Sequence, residues 1–331
     1  MCTFVVIWLL HLTLEERIAL QLAMISILLA SYNGEKFIAE QIESVLCQTV
    51  QDFYLYIRDD KSTDGTLSIV NGYAERYANK VFVSQNEANS GGAKHNFMNM
   101  MIERKDDYVM LCDQDDVWRQ DKIEVTLNEM LKLEKIYNYK TPLLVQTDLV
   151  VVDENLETLS PSYKIAMNMD YRRTKLENLV IQNTLTGCTV MYNHALADLI
   201  TEDPPFMVMH DWWLMLVASA FGKIGSLDSK TVLYRQHGEN EIGAKDVRSI
   251  RYRVDRLRDY GDAKRAINET YLQAQSFLEA FKHKLCSRSK KLLSDYGDIP
   301  NHRKLARWII MCRLGTYKNN VSRKIAQFVF A

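Results

Sequence analysis

The feature that most restricts this chain is an alternation that begins at Met24. Short apolar runs, each sized for one buried strand, are separated by stretches whose apolar residues recur at the helical period. Ile25 to Ala30 reads as a strand. It is followed by the turn Ser31-Tyr-Asn-Gly34 and a helix that places Ile38, Ile42, Val45 and Leu46 on one face. Phe53 to Ile57, Val81 to Val83 and Tyr108 to Cys112 read as further strands, with helices predicted from Thr66 to Tyr77 and from Gly92 to Arg104. Strands that alternate with helices build a mostly parallel sheet covered on both faces. Ligands of such sheets sit outside the carboxyl ends of the strands. Here those ends carry Ser31-Tyr32-Asn33, Arg58-Asp59-Asp60 and Asp113-Gln-Asp115-Asp116, so three polar motifs are expected on one edge.

Beyond residue 140 the pattern is more mixed. Leu143 to Gln146, Gly187 to Met191 and Lys230 to Tyr234 read as strands, and His210-Asp211-Trp212-Trp213 opens an apolar helix running to about Phe221. The chain after Gly243 reads as helical and basic. From Lys245 onward 20 Lys and Arg face 8 Asp and Glu, a net +12. The overall charge is -1, which leaves -13 for the first 244 residues. An acidic body suited to a cation, joined to a basic tail, is the expectation from charge; composition alone makes the tail a solvated helical face. Residues 1–23 read as a non-essential extension ahead of Met24, an upstream start, with a weak membrane anchor as the alternative. Their apolar part is too short to span a bilayer and lacks the basic start and cleavage site of a signal peptide. The six cysteines are scattered with no metal-type spacing, the pattern of a reducing compartment.

The chemistry lies in the acidic motifs. Asp113 and Asp115, one residue apart just past a buried strand, can converge on a hard divalent cation. Mg²⁺ and Mn²⁺ favour one or two carboxylates together with phosphate oxygens. A bland alternative makes this a helix start, capped by Asp116. Asp59 to Thr66 matches only the first half of a calcium loop and lacks its final Glu, so that reading is rejected. A strand-end loop fits better, with Asp59 or Asp60 accepting a hydrogen bond from a base N–H and Ser62 to Thr66 capping the next helix. Neither the dinucleotide nor the P-loop glycine signature is present. Asn89-Ser-Gly-Gly-Ala-Lys94 offers flexible backbone and one cation toward phosphates.

Taken together, Ala-Ser-Tyr-Asn-Gly (30–34), Arg-Asp-Asp-Lys-Ser-Thr-Asp-Gly-Thr (58–66), Asn-Ser-Gly-Gly (89–92), Cys-Asp-Gln-Asp-Asp-Val-Trp (112–118) and His-Asp-Trp-Trp (210–213) resemble bacterial family 2 glycosyltransferases. They look most like the rhamnosyltransferase-type members that act on cell-surface polysaccharides. The resemblance covers about residues 24 to 240. It implies a GT-A fold over 24–240, with a basic helical C-terminal region at 241–331, and an inverting mechanism. It places Ser31, Tyr32, Asn33, Asp59, Asp60, Lys94 and Asp113 at the nucleotide donor, and Asp115 and Asp113 at a Mn²⁺ or Mg²⁺ ion, with His237 as a late ligand beside Arg235. Asp211 becomes the catalytic base. Trp212, Trp213 and Gly187 fall on the acceptor side, the two tryptophans as stacking faces for a sugar ring. Burial beside them would raise the Asp211 pKa while the helix N-terminus would lower it. The sequence leaves open which effect wins.

The expected partners are a nucleotide-sugar (dTDP-rhamnose or a UDP-sugar), a lipid-linked glycan of O-antigen or capsule type, and the inner face of the plasma membrane; no nucleic acid is expected. That last contact would use Arg248, Arg251, Arg253, Arg256 and Arg258, with Trp308 to Met311 adding an apolar surface. Such a protein would be cytoplasmic and peripheral. A non-catalytic nucleotide-sugar-binding subunit on the same fold is the competing reading, disfavoured because a binding module needs no base. A nucleotidyltransferase lacks its phosphate loop here.

Overall fold

The computed structural model describes residues 23–238 and 260–330. The first half runs β1 (Ile25–Ser31), α1 (Ile38–Leu46), β2 (Tyr54–Asp59), α2 (Thr66–Arg76), β3 (Val81–Gln85), α3 (Ala93–Glu103), β4 (Tyr108–Cys112), β5 (Val117–Trp118) and α4 (Lys122–Tyr137). Next come β6 (Leu143–Val152), β7 (Thr158–Ser160), the short helices α5 (Tyr163–Ala166) and α6 (Leu176–Leu179), β8 (Val190–Asn193), α7 (His194–Ala197), α8 (His210–Phe221) and β9 (Lys223–Arg235). Four helices complete the described chain: α9 (Tyr260–Phe281), α10 (Ser287–Gly297), α11 (Lys304–Leu314) and α12 (Val321–Phe330).

Among the described residues, nine strands form one sheet in the order β3-β2-β1-β4-β8-β6-β9-β5, with β7 paired to β6 off that path. The first four strands are parallel neighbours. β8 then enters antiparallel between β4 and β6, while β6 and β9 run parallel. The sheet is thus parallel where the alternation in the sequence is cleanest and mixed beyond it.

The period-two logic of a strand buried on both faces is explicit in β1 and β4. Leu28, Ala30, Val109 and Leu111 enter one core, and Ile27, Leu29, Met110 and Cys112 the other. Helix α1 covers the second core with Ile38, Ile42 and Val45. Helices α3, α8 and α9 cover the first. The basic C-terminal region is therefore more than a solvated face, because Ile267, Tyr271, Ala274 and Phe277 of α9 are buried in the main core.

Two local expectations need correction. Val117-Trp118 is no helix start but a short strand paired antiparallel with Val232 and Leu233 of β9. Asp116 is accordingly not a helix cap, since α4 begins only at Lys122. The last strand is also longer than the sequence suggests, because Lys223 to Ser229 lacks the apolar run that marks its second half. The segment containing Arg248, Arg251, Arg253, Arg256 and Arg258 lies outside the described residues, as do residues 1–22.

Candidate active site

Strand register brings the first polar motifs together: Ser31 is opposite Asp59 across β1 and β2, and Leu29 is opposite Cys112 across β1 and β4. The loops leaving β1 and β2 are sewn to each other. Asn33 N donates to Ser62 Oγ at 2.9 Å, Asn33 Oδ1 accepts from Thr63 N at 2.8 Å, and Gly34 N donates to Thr66 Oγ1 at 2.7 Å. Helix α2 has Gly65 at its N-cap with no side-chain cap, and Asp64 one residue earlier accepts the Thr66 N–H instead.

Asp59 and Asp60, alternatives in the sequence, differ in what they have left to offer. The Asp59 carboxylate is buried and accepts from Ser62 N, Ser62 Oγ, Ser31 Oγ and Gln85 Nε2, which fills the roughly four lone-pair sites of a carboxylate. Asp60 accepts from Asn86 Nδ2, Ser90 N and Ser90 Oγ. Asp60 thus retains acceptor capacity and Asp59 does not. Ser31 is buried, and its hydroxyl serves Asp59, so it acts through that carboxylate. Tyr32 is 48% exposed and presents an open aromatic face at the end of β1. Ser90 reaches Asp60 because Gly91 and Gly92, with φ of 90° and 117°, turn the chain through the left-handed region that favours glycine. Lys94, two residues on, donates to Met207 O at 3.3 Å and ties the start of α3 to the segment leading into α8.

The acidic turn after β4 is clamped from both sides. Gln114 accepts from Tyr32 N and donates to Tyr32 O, both at 2.9 Å, and takes the place of a missing strand neighbour. Gly34 is needed for this, since a Cβ there would stand 2.3 Å from Gln114 Oε1. From the other side Arg235 donates its N–H to Asp116 Oδ1 at 3.1 Å and its Nε to Asp115 O at 2.8 Å. Its other nitrogens reach Glu154 O and Glu40. Arg235 is therefore spent on scaffolding, whereas His237 Nε2 lies 2.8 Å from Asp115 Oδ2.

Asp113, Asp116 and Cys188 bring ligand atoms within 4.8 Å of one another. Asp116 is fully buried; burial, with the charges of Asp115 and Asp113, pushes its carboxyl well above the usual range. Its buried Oδ2 has no hydrogen-bond partner among the described residues. Burial also pushes the Cys188 thiol up, which favours its protonated form. The remaining donors, carboxylate oxygens with one imidazole, fit a hard or borderline divalent cation.

Asp211 lies in the first turn of α8 and is buried. Burial wins the contest that the sequence left open: it pushes the carboxyl up to about 6, against hydrogen bonds from Trp212 N, the Asn183 side chain and the Gly187 backbone. His210, just before it, stacks on Phe97 with ring centroids 4.3 Å apart. Burial without a partner lowers its pKa to about 3, so it brings no charge to its neighbour.

Trp213, expected as a stacking face, is instead core. It packs against Phe277 and Phe281 of α9 because it stands about 200° around the helix from Asp211. Trp212 is half-buried and donates its indole N–H to Leu179 O at 2.6 Å. Gly187 is buried beneath the base. A Cβ there would stand 3.6 Å from Asp211 Cβ and 3.0 Å from His210 Nε2.

One juxtaposition links the two sides. Gly187 touches Asp211 while the next residue, Cys188, touches Asp113 and Asp116. Adjacent Cα atoms are ~3.8 Å apart. The buried Asp211 and the acidic turn thus adjoin consecutive residues. Sequence reasoning missed Gln114, Asn183, Asn86 and Ser90. Gln114 and Ser90 carried a signal, their places inside the acidic run and the Asn-Ser-Gly-Gly motif.

The comparisons with known proteins agree with this architecture. The profile of Glycosyl transferase family 2 matches residues 26–198, and the chain belongs to that family. Curated relatives include the dTDP-rhamnosyl transferase RfbG of Shigella flexneri, 28% identical over 65% of this chain and 74% of its own. Another is the putative teichuronic acid biosynthesis glycosyltransferase TuaG of Bacillus subtilis, 30% identical over 61% of this chain and 75% of its own. Among solved structures, S. aureus TarS 1–349 in complex with UDP-GlcNAc superposes with a TM-score of 0.55 at 18% identity, covering 87% of this chain and 79% of that one. The mannosyltransferase PcManGT of Pyrobaculum calidifontis, in complex with GDP-Man and Mn²⁺, gives 0.51 at 13% identity over 92% and 86%. These structures share the GT-A-like fold, and the chain is a glycosyltransferase.

Proposed function

We propose that this protein is an inverting, divalent-cation-dependent glycosyltransferase that moves a sugar from a nucleotide-diphosphate donor to a hydroxyl of a lipid-linked surface glycan. Rhamnose is the sugar favoured by the motif resemblance and by the name of the Shigella relative, so dTDP-rhamnose heads the donors to test, with UDP-sugars next. The observation that carries this reading is the single peptide at Gly187–Cys188, flanked by Asp211 on one side and by Asp113 and Asp116 on the other.

In this reading Asp60, with acceptor capacity left, receives a base N–H, and the exposed Tyr32 ring covers the nucleoside. Asn33 holds the loop in shape through Thr63. Asp113, Asp115 and His237 would hold Mn²⁺ or Mg²⁺, which when bound neutralises charge on the departing diphosphate. Lys94 adds a nearby cation. Asp211, a carboxylate near pH 6, removes the acceptor hydroxyl proton as that oxygen attacks opposite the diphosphate. Gly187 positions the base rather than touching the acceptor, and Trp212 lies next to the base on the rim. Residues 24–240 carry the site and 241–331 the basic C-terminal region that brings it to the inner membrane face. No described helix is long and apolar enough to cross a membrane.

Asp211→Asn tests the reading. Transfer should fall by roughly 10²–10⁴-fold, the usual worth of a general base, while Mn²⁺-dependent stabilisation by nucleotide-sugar persists. Unchanged transfer would remove Asp211 from the mechanism.

A further inference from the structure

The two last helices expose apolar residues in regular rows. Leu305 and Ile309 on α11, and Val321, Ile325 and Val329 on α12, are between 47 and 72% exposed. Each row has the four-residue spacing that places side chains on one helix face. Scattered apolar residues are ordinary on a surface, whereas rows on adjacent helices form a patch. The helices are clasped: Trp308 Nε1 donates to Phe328 O at 2.8 Å and Lys304 Nζ to Val329 O at 3.4 Å. The start of α11 therefore lies against the end of α12. Their opposite faces are accounted for, since Met311 and Gln327 are buried and Trp308 and Phe328 pack on the main core.

The charge around the rows is one-sided. Residues 299–331 contain seven Lys and Arg and no Asp or Glu. The exposed Lys304 and Lys324 flank Leu305 and Ile325, and the exposed Arg303 stands at the start of α11, whereas Arg307 turns away to Pro300 O and His302 O and Arg323 to Met167 O. A second copy of this chain would bring the same positive charge against it, which opposes self-association. An anionic bilayer meets both demands, taking apolar side chains into the acyl boundary and cations among its headgroups.

We infer that the exposed rows of α11 and α12 are a lipid-insertion surface that docks on an anionic bilayer. This rests on the membrane-facing reading above but moves the contact away from the arginine run at 248–258. Of the apolar stretch Trp308 to Met311 it keeps only Ile309, since Met311 is buried and Trp308 and Ile310 pack on the core.

The test is co-sedimentation of the full chain with phosphatidylcholine vesicles made with and without phosphatidylglycerol. The wild type should bind only the anionic vesicles. Ile309→Ser with Ile325→Ser should weaken that binding roughly tenfold or more, because two buried aliphatic side chains are removed from the contact. Stabilisation by nucleotide-sugar should stay unchanged in this variant, showing that the fold is intact. Equal binding by wild type and variant overturns the inference and leaves the arginine run as the contact. No binding by the wild type overturns the membrane reading as well. A dimer in sedimentation velocity that the double variant abolishes would assign the rows to a second copy instead.

Discussion

A cluster of carboxylates lies beside Cys188 and a single one beside Gly187, the residue before it, and their electrostatics differ. On one side Asp113, Asp115 and Asp116 crowd a single turn, and Asp116 is driven toward its neutral form by burial and by its two neighbours. On the other side Asp211 has no charged partner among the groups that set its pKa. Burial alone raises it, and only as far as about 6 because three donors still favour the charged form. Crowding creates a demand for positive charge, which the proposed cation at a diphosphate would supply. Solitude in a buried setting gives a carboxylate that is ionised at neutral pH yet basic enough for the proton transfer proposed above. The same residue type is tuned to two tasks by its surroundings alone.

This contrast can be broken in several ways. Beyond Asp211→Asn, the largest expected effect is that of Asp115→Ala, which removes a crowded carboxylate and the partner of His237. Transfer should fall about a hundredfold or more, since several kcal/mol of charge stabilisation depend on the cation. Unlike Asp211→Asn, this variant should also lose the Mn²⁺-dependent rise in Tm with nucleotide-sugar. A surviving rise would place the cation elsewhere.

The pH profile comes next. Asp211 must be charged to accept a proton, so transfer should drop as pH falls through about 6, by about tenfold for each further unit. A flat profile down to pH 4.5 would contradict a raised base.

Stability supplies a third check, with the sign fixed by linkage. The folded pKa of Asp211, about 6, lies above the ordinary value of 3.8, so the native state binds more protons between the two. Stability from this group therefore falls as pH rises through that window, and the loss is complete above pH 6. At 1.36 kcal/mol per unit it is on the order of 2–3 kcal/mol. Asp211→Asn should accordingly raise Tm at pH 7, with the gain disappearing near pH 4. A lower Tm at pH 7 would mean that the three donors outweigh burial.

The smallest effect is expected for Gly187→Ala. Its new methyl would press on His210 Nε2 from 3.0 Å and shift the base by a few tenths of an ångström, costing a few-fold in transfer with little change in nucleotide binding. If binding falls equally, Gly187 belongs to the donor side.

The sequence was most legible where local pattern and tertiary role coincide. Strands β1 and β4 follow the apolar runs almost residue for residue, because a strand buried on both faces has few polar positions to blur it, whereas β2 and β3 run on into polar residues. The antiparallel entry of β8 was not legible, since its short run Val190–Asn193 carries no mark of direction. Val117-Trp118 misled because two residues show neither period, and only pairing with β9 makes them a strand. Among site residues, Asp60 was separated from Asp59 by counting donors that arrive from Asn86 and Ser90, some 30 positions away. Trp213 looked like Trp212 in sequence, and only the docking of α9 puts one in the core and leaves the other at the rim. Asn183 sits in an unpatterned loop and becomes visible only through its bond to Asp211.

The paired bonds between Gln114 and the Tyr32 backbone have a mechanical consequence. They act like a rivet between the turn that holds Asp113 and Asp115 and the loop that carries Tyr32. Neither can be displaced without dragging the other, so a shift in the acidic turn is felt at Tyr32 through two short bonds rather than through the sheet. A substitution that shortens Gln114 would leave every carboxylate in place and still uncouple the two halves of the pocket.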